Sequence, residues 1–175
     1  IKPASSGSSN GLEIIKSNRD LLSLFKKIKK FKYRFKKNEI FLIEEYISGI
    51  ELTVSVIKNK LNYESLEVTE IVSLNKIYDY KAKYTKGFSK HFIPARITKQ
   101  NHKRCLDLSL KIHKIFKCNT LSRVDFILSK KENKLYFLEI NSQPGMTKMS
   151  LLPEQATYKK IKFECIVEEL INNSK

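Results

Sequence analysis

Glycine is scarce in this chain, with five residues at positions 7, 11, 49, 87 and 145. None falls in a G-x-G-x-x-G or G-x-x-x-x-G-K pattern, which excludes the Rossmann and P-loop routes to nucleotide binding. Cysteine is scarce as well. Cys105, Cys118 and Cys165 are odd in number and form no CxxC pair. They suit reduced thiols in a cytoplasm, not a disulfide framework. His102 and His113 lie near Cys105, but their spacing matches no common zinc pattern. No apolar run reaches the length of a membrane span, so no membrane partner is expected. A basic n-region followed by an apolar h-region is also missing at the start, "IKPASSGSS". Arginine is rare too, limited to Arg19, Arg34, Arg96, Arg104 and Arg123.

What is present is a globular composition: 175 residues, 41% hydrophobic and 10% aromatic. That suffices for one domain with a real core or for two small lobes. The net charge of +16 invites a nucleic-acid reading. The cations are nearly all lysine, however, whereas base-edge and phosphate-fork recognition favours arginine. The densest block, "FKKIKKFKYRFKK" (25–37), alternates lysine with apolar residues at helical spacing and reads as a solvated amphipathic face. No nucleic-acid partner is expected. The chain lacks a starting Met and opens on what reads as a strand end, which suggests a fragment.

The patterning predicts a mixed order of elements. "KPASSGSSNG" (2–11) reads as a loop. Ser17 with Asp20 three residues on makes a capping-box-like helix start, followed by an apolar stripe of Leu21, Leu24, Phe25, Ile28 and Phe31. "EIFLIEEYI", "IELTVSVI" and "LEVTEIVSL" are strand-like. Residues 75–95 have no clean period and form a long Tyr- and Lys-laden loop. A helix over about 98–116, the strands "LSRVDFILS" and "KLYFLEINS", a short helix around Ser150 and a last helix over 163–171 complete the chain. The class is α+β with a largely antiparallel sheet and flanking helices.

The two strands before position 142 carry the chemistry. In "RVDFIL", Arg123, Asp125 and Ile127 share a face; in "YFLEIN", Phe137, Glu139 and Asn141 share one. A hairpin turning near Glu132 sets Asp125 across from Glu139 and Arg123 across from Asn141. Two opposed carboxylates repel. A divalent cation removes the conflict, since Asp125, Glu139 and Asn141 offer hard oxygens suited to Mg²⁺ shared with phosphates. A plain salt bridge from Arg123 to Asp125 or Glu139 is the competing reading, with equal weight. Beyond the strand, Pro144-Gly145 is a turn, where glycine lets backbone approach a ligand closely.

Taken in order, "KPASSGSS", "LIEEYISGIELTVSV", "YDYKAKYT…IPA", "SRVDF" and "FLEINSQPGMTKMSLLP" resemble the D-alanine–D-alanine ligases of the ATP-grasp superfamily. The resemblance runs from Lys2 to about Pro153 and weakly beyond. It implies an ATP-grasp fold, with part of the central lobe over 1–44 and the C-terminal lobe over 45–175, its lid loop at 75–95. It further implies an ATP-dependent carbon–nitrogen ligase in the cytoplasm. Such an enzyme phosphorylates one D-alanine and joins the acyl phosphate to a second, for peptidoglycan precursor synthesis, cell wall biogenesis and cell shape. ATP and two Mg²⁺ (or Mn²⁺) are the implied cofactors, and the resemblance is compatible with a homodimer of the full-length protein, as members of the family are commonly dimers.

Carried over residue by residue, the resemblance assigns Lys2 and Lys83 to ATP phosphates, Glu44 and Tyr46 to the adenine segment, and Glu51 to the ribose. Asp125, Glu139 and Asn141 match the metal ligands. Arg123 and the Gly145 N–H match the oxyanion stabilisers. Ser8 and Tyr84 sit on loops over the site, and Ser150 with Leu151 matches the seat of the second D-alanine carboxylate. Tyr84 goes with dipeptide ligases, where phenylalanine goes with ligases making the D-alanine–D-lactate ester. Lys81 departs from the family, standing where glutamate is usual. The N-terminal lobe is absent, so the fragment is expected to be inactive alone. The alternatives are an ATP-grasp carboxylate–amine ligase with another acceptor, a basic nucleic-acid-binding module, and an inactive remnant.

Overall fold

Alternation of apolar and polar residues dominates the longest strands, and it produces a sheet with two unlike faces. The structure, a computed structural model, describes residues 1–4, 11–30, 39–73 and 89–173. Its strands are β1 (Lys2–Pro3), β2 (Phe41–Leu42), β3 (Gly49–Asn59), β4 (Asn62–Ser73), β5 (Ser89–Phe92), β6 (Leu121–Ser129) and β7 (Leu135–Asn141). Its helices are α1 (Asn18–Lys30), α2 (Lys99–Ile115), α3 (Leu151–Tyr158) and α4 (Phe163–Asn172). Among the described residues, five strands form one sheet in the order β5-β4-β3-β6-β7, with β3 antiparallel to β4 and β6, and β6 antiparallel to β7. The α+β class with a largely antiparallel sheet therefore holds.

On one face, Leu52, Val54, Val68, Val124, Phe126 and Leu128 pack with Cys105 of α2 as a buried cluster, joined by Leu106 and Ile112. A fully buried aliphatic side chain contributes about 1.5–3 kcal/mol here. The Cys105 thiol is pushed up to about 12 by burial, so it packs as a small apolar group and not as a nucleophile. At the end of the sheet, Ile57, Leu66 and Leu121 pack with Leu152 and Ala156 of α3 and Ile166 of α4. What is left of the other face is polar, and it carries the site.

The helix signals worked as chemistry predicts. Thr98 caps α2 by accepting from Asn101 N. Ser17 and Asp20 close a reciprocal cap at α1: Asp20 N donates to Ser17 Oγ at 3.2 Å and Ser17 Oγ to Asp20 Oδ2 at 2.9 Å. That Ser17 bond, with one from Lys16 N, holds the Asp20 carboxyl below its ordinary range. The stripe on α1 is narrower than expected. Leu24 is buried, but Phe25 is exposed, as is Leu22. Ile28 and Phe31 lie outside the described side chains.

Two sequence expectations change. "EIFLIEEYI" forms a strand only at Phe41–Leu42, paired with β1 as Lys2 opposite Leu42 and Pro3 opposite Phe41. Beyond it Ile43 is 80% exposed. Conversely, Ser89–Phe92 inside the expected loop is a strand at the sheet edge. By contacts the chain divides into one unit of Ile1–Ile47 with Ser73–Lys90 and a second of Ser48–Val72 with His91–Lys175. No described helix is long and apolar enough to cross a membrane.

Two consequences for stability follow. Gly49 sits opposite Ser129, where a Cβ would lie 2.3 Å from the Leu128 carbonyl oxygen and 2.5 Å from Ile127 Cγ2. Backbone cannot yield cheaply, so Gly49→Ala is expected to cost about 1–3 kcal/mol, read as a lowered urea midpoint. His113, buried with Nδ1 against Ser122 Oγ at 2.8 Å, has its pKa lowered from 6.5 by burial. The unfolded chain then binds the proton first, so stability falls as pH drops below about 6.5. Urea midpoints at pH 7.5 and 5.5 measure this loss, and it should shrink in His113→Leu.

Candidate active site

Residues 121–141 build the site as a hairpin. Ser129 N donates to the Lys134 carbonyl at 2.9 Å and Asn133 N to the Ser129 carbonyl at 3.0 Å, closing the turn. Asn133 takes φ 51, a left-handed conformation that asparagine tolerates. The register that follows pairs Arg123 with Asn141 and Asp125 with Glu139, as the sequence predicted. Across β6, Thr53 faces Asp125 and Glu51 faces Ile127. One face therefore carries Glu51, Thr53, Arg123, Asp125, Glu139 and Asn141.

The face assignment of Phe137 is corrected. The register slips between Asp125 and Phe126, so Phe126 pairs with Phe137 while Leu138 is left over as a β-bulge. Phe137 thus joins the apolar side, its ring 6.4 Å from that of buried Phe126 and 6.1 Å from that of Phe116. The extra residue reverses the alternation, and Glu139 keeps the polar side.

Of the two readings for Arg123, the salt bridge is what forms. Its Nε donates to Asp125 Oδ1 at 2.9 Å and its Nη2 to Asp125 Oδ2 at 2.8 Å, with both side chains mostly buried. Thr53 Oγ1 adds a donor to Asp125 Oδ1 at 2.6 Å. This fork neutralises one of the two opposed carboxylates and lets Asp125 and Glu139 face each other. A cation still fits the donor set. A carboxylate has about four acceptor positions, and the described bonds take fewer of them at Asp125. Glu139 is exposed, and Asn141 Oδ1 accepts from Gln143 N at 2.9 Å with a lone pair to spare. Two carboxylates and an amide make a partial shell of the kind Mg²⁺ completes with water and phosphate. Among the described residues, no group of three His, Cys, Asp or Glu side chains forms a closed metal cage.

Gly145 and Ser150 come together after β7. A Cβ at Gly145 would lie 2.8 Å from Ser150 Oγ. Ser150 stands at the N-cap of α3, as expected, but its side chain does not cap the helix. It turns back instead, accepting from Thr147 N at 3.1 Å and meeting Thr147 Oγ1 at 2.8 Å. Leu151 is buried. In the other unit, Lys2 Nζ pairs with Glu44 Oε2 at 2.7 Å, and Tyr46 is exposed. Ser8, Lys81, Lys83 and Tyr84 lie outside the described residues.

Two residues of this region escaped the sequence reading, Thr53 and Gln155. Thr53 was legible: in "ELTVSV" it alternates with Glu51 onto the polar face. Gln155 left only the weak signal of one amide among Leu151, Leu152 and Ala156.

The mostly antiparallel sheet with flanking helices agrees with the ATP-grasp fold of its structural neighbours. The family described as D-ala D-ala ligase C-terminus matches residues 1–172, and the chain belongs to it. A D-alanine–D-alanine ligase of Rickettsia typhi is 43% identical over 172 residues, covering 98% of this chain and 50% of that protein. Among solved structures, a D-alanine–D-alanine ligase of Bacillus anthracis complexed with ATP aligns at TM-score 0.70 and 28% identity, covering 95% of this chain and 51% of that one. A D-Ala:D-Ser ligase of Enterococcus faecalis aligns at TM-score 0.75 and 28% identity, over 98% and 48%. The chain spans about half the length of the curated relatives it matches.

Proposed function

We propose that the polypeptide carrying this sequence joins two D-alanine molecules at the expense of ATP, through an acyl phosphate, to supply peptidoglycan precursor. The observation that carries the reading is the β6–β7 register, which sets Asp125 against Glu139 and Arg123 against Asn141 on one polar face. Asp125, Glu139 and Asn141 would hold Mg²⁺, which neutralises phosphate charge when bound. Arg123 and the Gly145 N–H would stabilise an oxyanion, and Ser150 with Leu151 would seat the acceptor carboxylate. The family resemblance assigns Lys2, Lys83, Glu44, Tyr46 and Glu51 to the nucleotide, and Ser8 and Tyr84 to the reactants. The Lys2–Glu44 pair holds the two groups within reach of each other, in the segment assigned to the central lobe (1–44). Cys105, Cys118 and Cys165 are all free thiols, which favours a reducing cytoplasm. Acceptor choice is the finer question, because the fold also serves a D-Ala:D-Ser ligase.

The test is phosphate release and dipeptide formation in the longest native polypeptide containing this sequence, supplied with ATP, Mg²⁺ and D-alanine or D-serine. Turnover that requires D-alanine alone supports the dipeptide ligase. Turnover with both substrates that yields D-alanyl-D-serine moves the assignment to another acceptor, and no turnover in folded protein removes it. Glu139→Gln deletes one unit of charge from the metal face. It is expected to raise the Mg²⁺ concentration for half-maximal rate about tenfold, equivalent to ~1.4 kcal/mol.

A further inference from the structure

A buried amide ties the proposed acceptor seat to the acidic face. Gln155 lies in α3, one helical turn beyond Ser150 and Leu151, and is fully buried. Its Oε1 accepts from Ser55 N at 2.8 Å, while its Nε2 donates to the Thr53 carbonyl at 3.2 Å and to Thr69 Oγ1 at 2.9 Å. Both amide protons and one acceptor position are thus used, all on β3 and β4. The reason for an amide here lies in the sheet. The β3–β4 register slips between Val54 and Val56, so Ser55 faces no residue of β4. A side chain from α3 takes the Ser55 N–H that the slip leaves, which a buried strand could not leave unpaired.

We infer that Gln155 is a positioning residue for the ligation: its amide fixes the N-terminal end of α3, and with it Ser150 and Leu151, against the strand segment that holds Asp125. The inference rests on the reading under Proposed function. The link is short. The Thr53 backbone is held by Gln155, and Thr53 Oγ1 donates to Asp125 Oδ1. Apolar packing of Leu152 and Ala156 with Ile57 and Leu121 brings α3 to the sheet, but it does not fix the sliding or rotation of the helix. Three hydrogen bonds at one side chain do. An acceptor seat that moves by a fraction of an ångström relative to the acyl centre loses the aligned attack geometry.

The experiment uses the longest native polypeptide, with Gln155→Met, Gln155→Glu and Leu128→Val. Methionine keeps length and apolar volume and removes all three bonds, whereas glutamate retains an acceptor for Ser55 N. Leu128→Val trims the apolar cluster elsewhere and controls for lost stability. In Gln155→Met we expect the KM for the acceptor D-alanine to rise about tenfold and the KM for ATP to stay within about twofold. Amide exchange at Ser55 should quicken at least tenfold, and Gln155→Glu should recover part of both effects. An acceptor KM within twofold of the parent in folded Gln155→Met overturns the inference, as does an equal rise in Leu128→Val. Absence of D-alanine-dependent turnover in the unsubstituted protein is a different failure. It removes the ligase reading and the acceptor role with it, leaving the quickened Ser55 exchange as a purely structural clamp.

Discussion

On the proposed ligase reading, Arg123→Ala is expected to lower kcat by about 10³-fold while leaving the KM for ATP nearly unchanged. The size follows from removing one pre-aligned donor from a developing oxyanion, which alone is worth about 10²–10³. The larger end is expected because Arg123 also holds Asp125 with both arms of its guanidinium. The same substitution strands a mostly buried carboxylate. Without Mg²⁺ it should therefore destabilise the fold by about 3–5 kcal/mol, the usual loss when one partner of a buried pair is removed. Mg²⁺ separates the two effects: saturating metal restores much of the urea midpoint by pairing with Asp125, but it does not restore turnover. Arg123→Lys keeps the charge without the fork and falls between. A folded Arg123→Ala enzyme within tenfold of the parent rate would take Arg123 out of the chemistry and leave it a structural ion pair.

Gly145→Ala is the second large effect, expected to reduce kcat/KM by about 10²-fold with little change in stability. The added Cβ lies 2.8 Å from Ser150 Oγ, closer than such contacts normally come. Ser150 cannot simply turn aside, because Thr147 N and Thr147 Oγ1 both engage its hydroxyl. Relief must come from moving the turn, which shifts the Gly145 N–H and the Ser150 seat together, and misplacement on the ångström scale costs about 10²-fold. Steady-state kinetics with acceptor and ATP varied separately measure it. The loss should appear in the acceptor terms. A loss confined to the KM for ATP would contradict the assignment of this turn to the acceptor.

Local rules made much of this legible in the sequence. The hairpin register could be read because the turn residues 130–133 and the carboxylate spacing agree, and Asp125 does pair with Glu139. Thr98 and the Ser17–Asp20 pair marked helix starts by side-chain chemistry confined to one turn. The failures share a cause. Leu138 bulges and the β3–β4 register slips after Val54 because of what the neighbouring strand provides, and no local pattern encodes a neighbour. Gln155 was missed for the same reason: its three partners lie 86 to 102 residues away. The roles of Ser150, Leu151 and Glu51 came only from family resemblance, since a serine at a helix start and a glutamate on a strand have ordinary structural explanations.

The bulge at Leu138 gives β7 two reading frames joined end to end. Residues 135–137 keep time with the apolar cluster, and residues 139–141 keep time with the acidic face. Deleting Leu138 would restore an unbroken ladder in which Phe137 and Glu139, now adjacent, take opposite faces by plain alternation and keep Phe126 and Asp125 as their partners. The face that Glu139 takes does not depend on the extra residue; what the bulge contributes is local bend and twist in β7. Exchanges at 138 should be widely tolerated, and a single-residue gap there should keep Asp125 opposite Glu139 while flattening the strand that carries them.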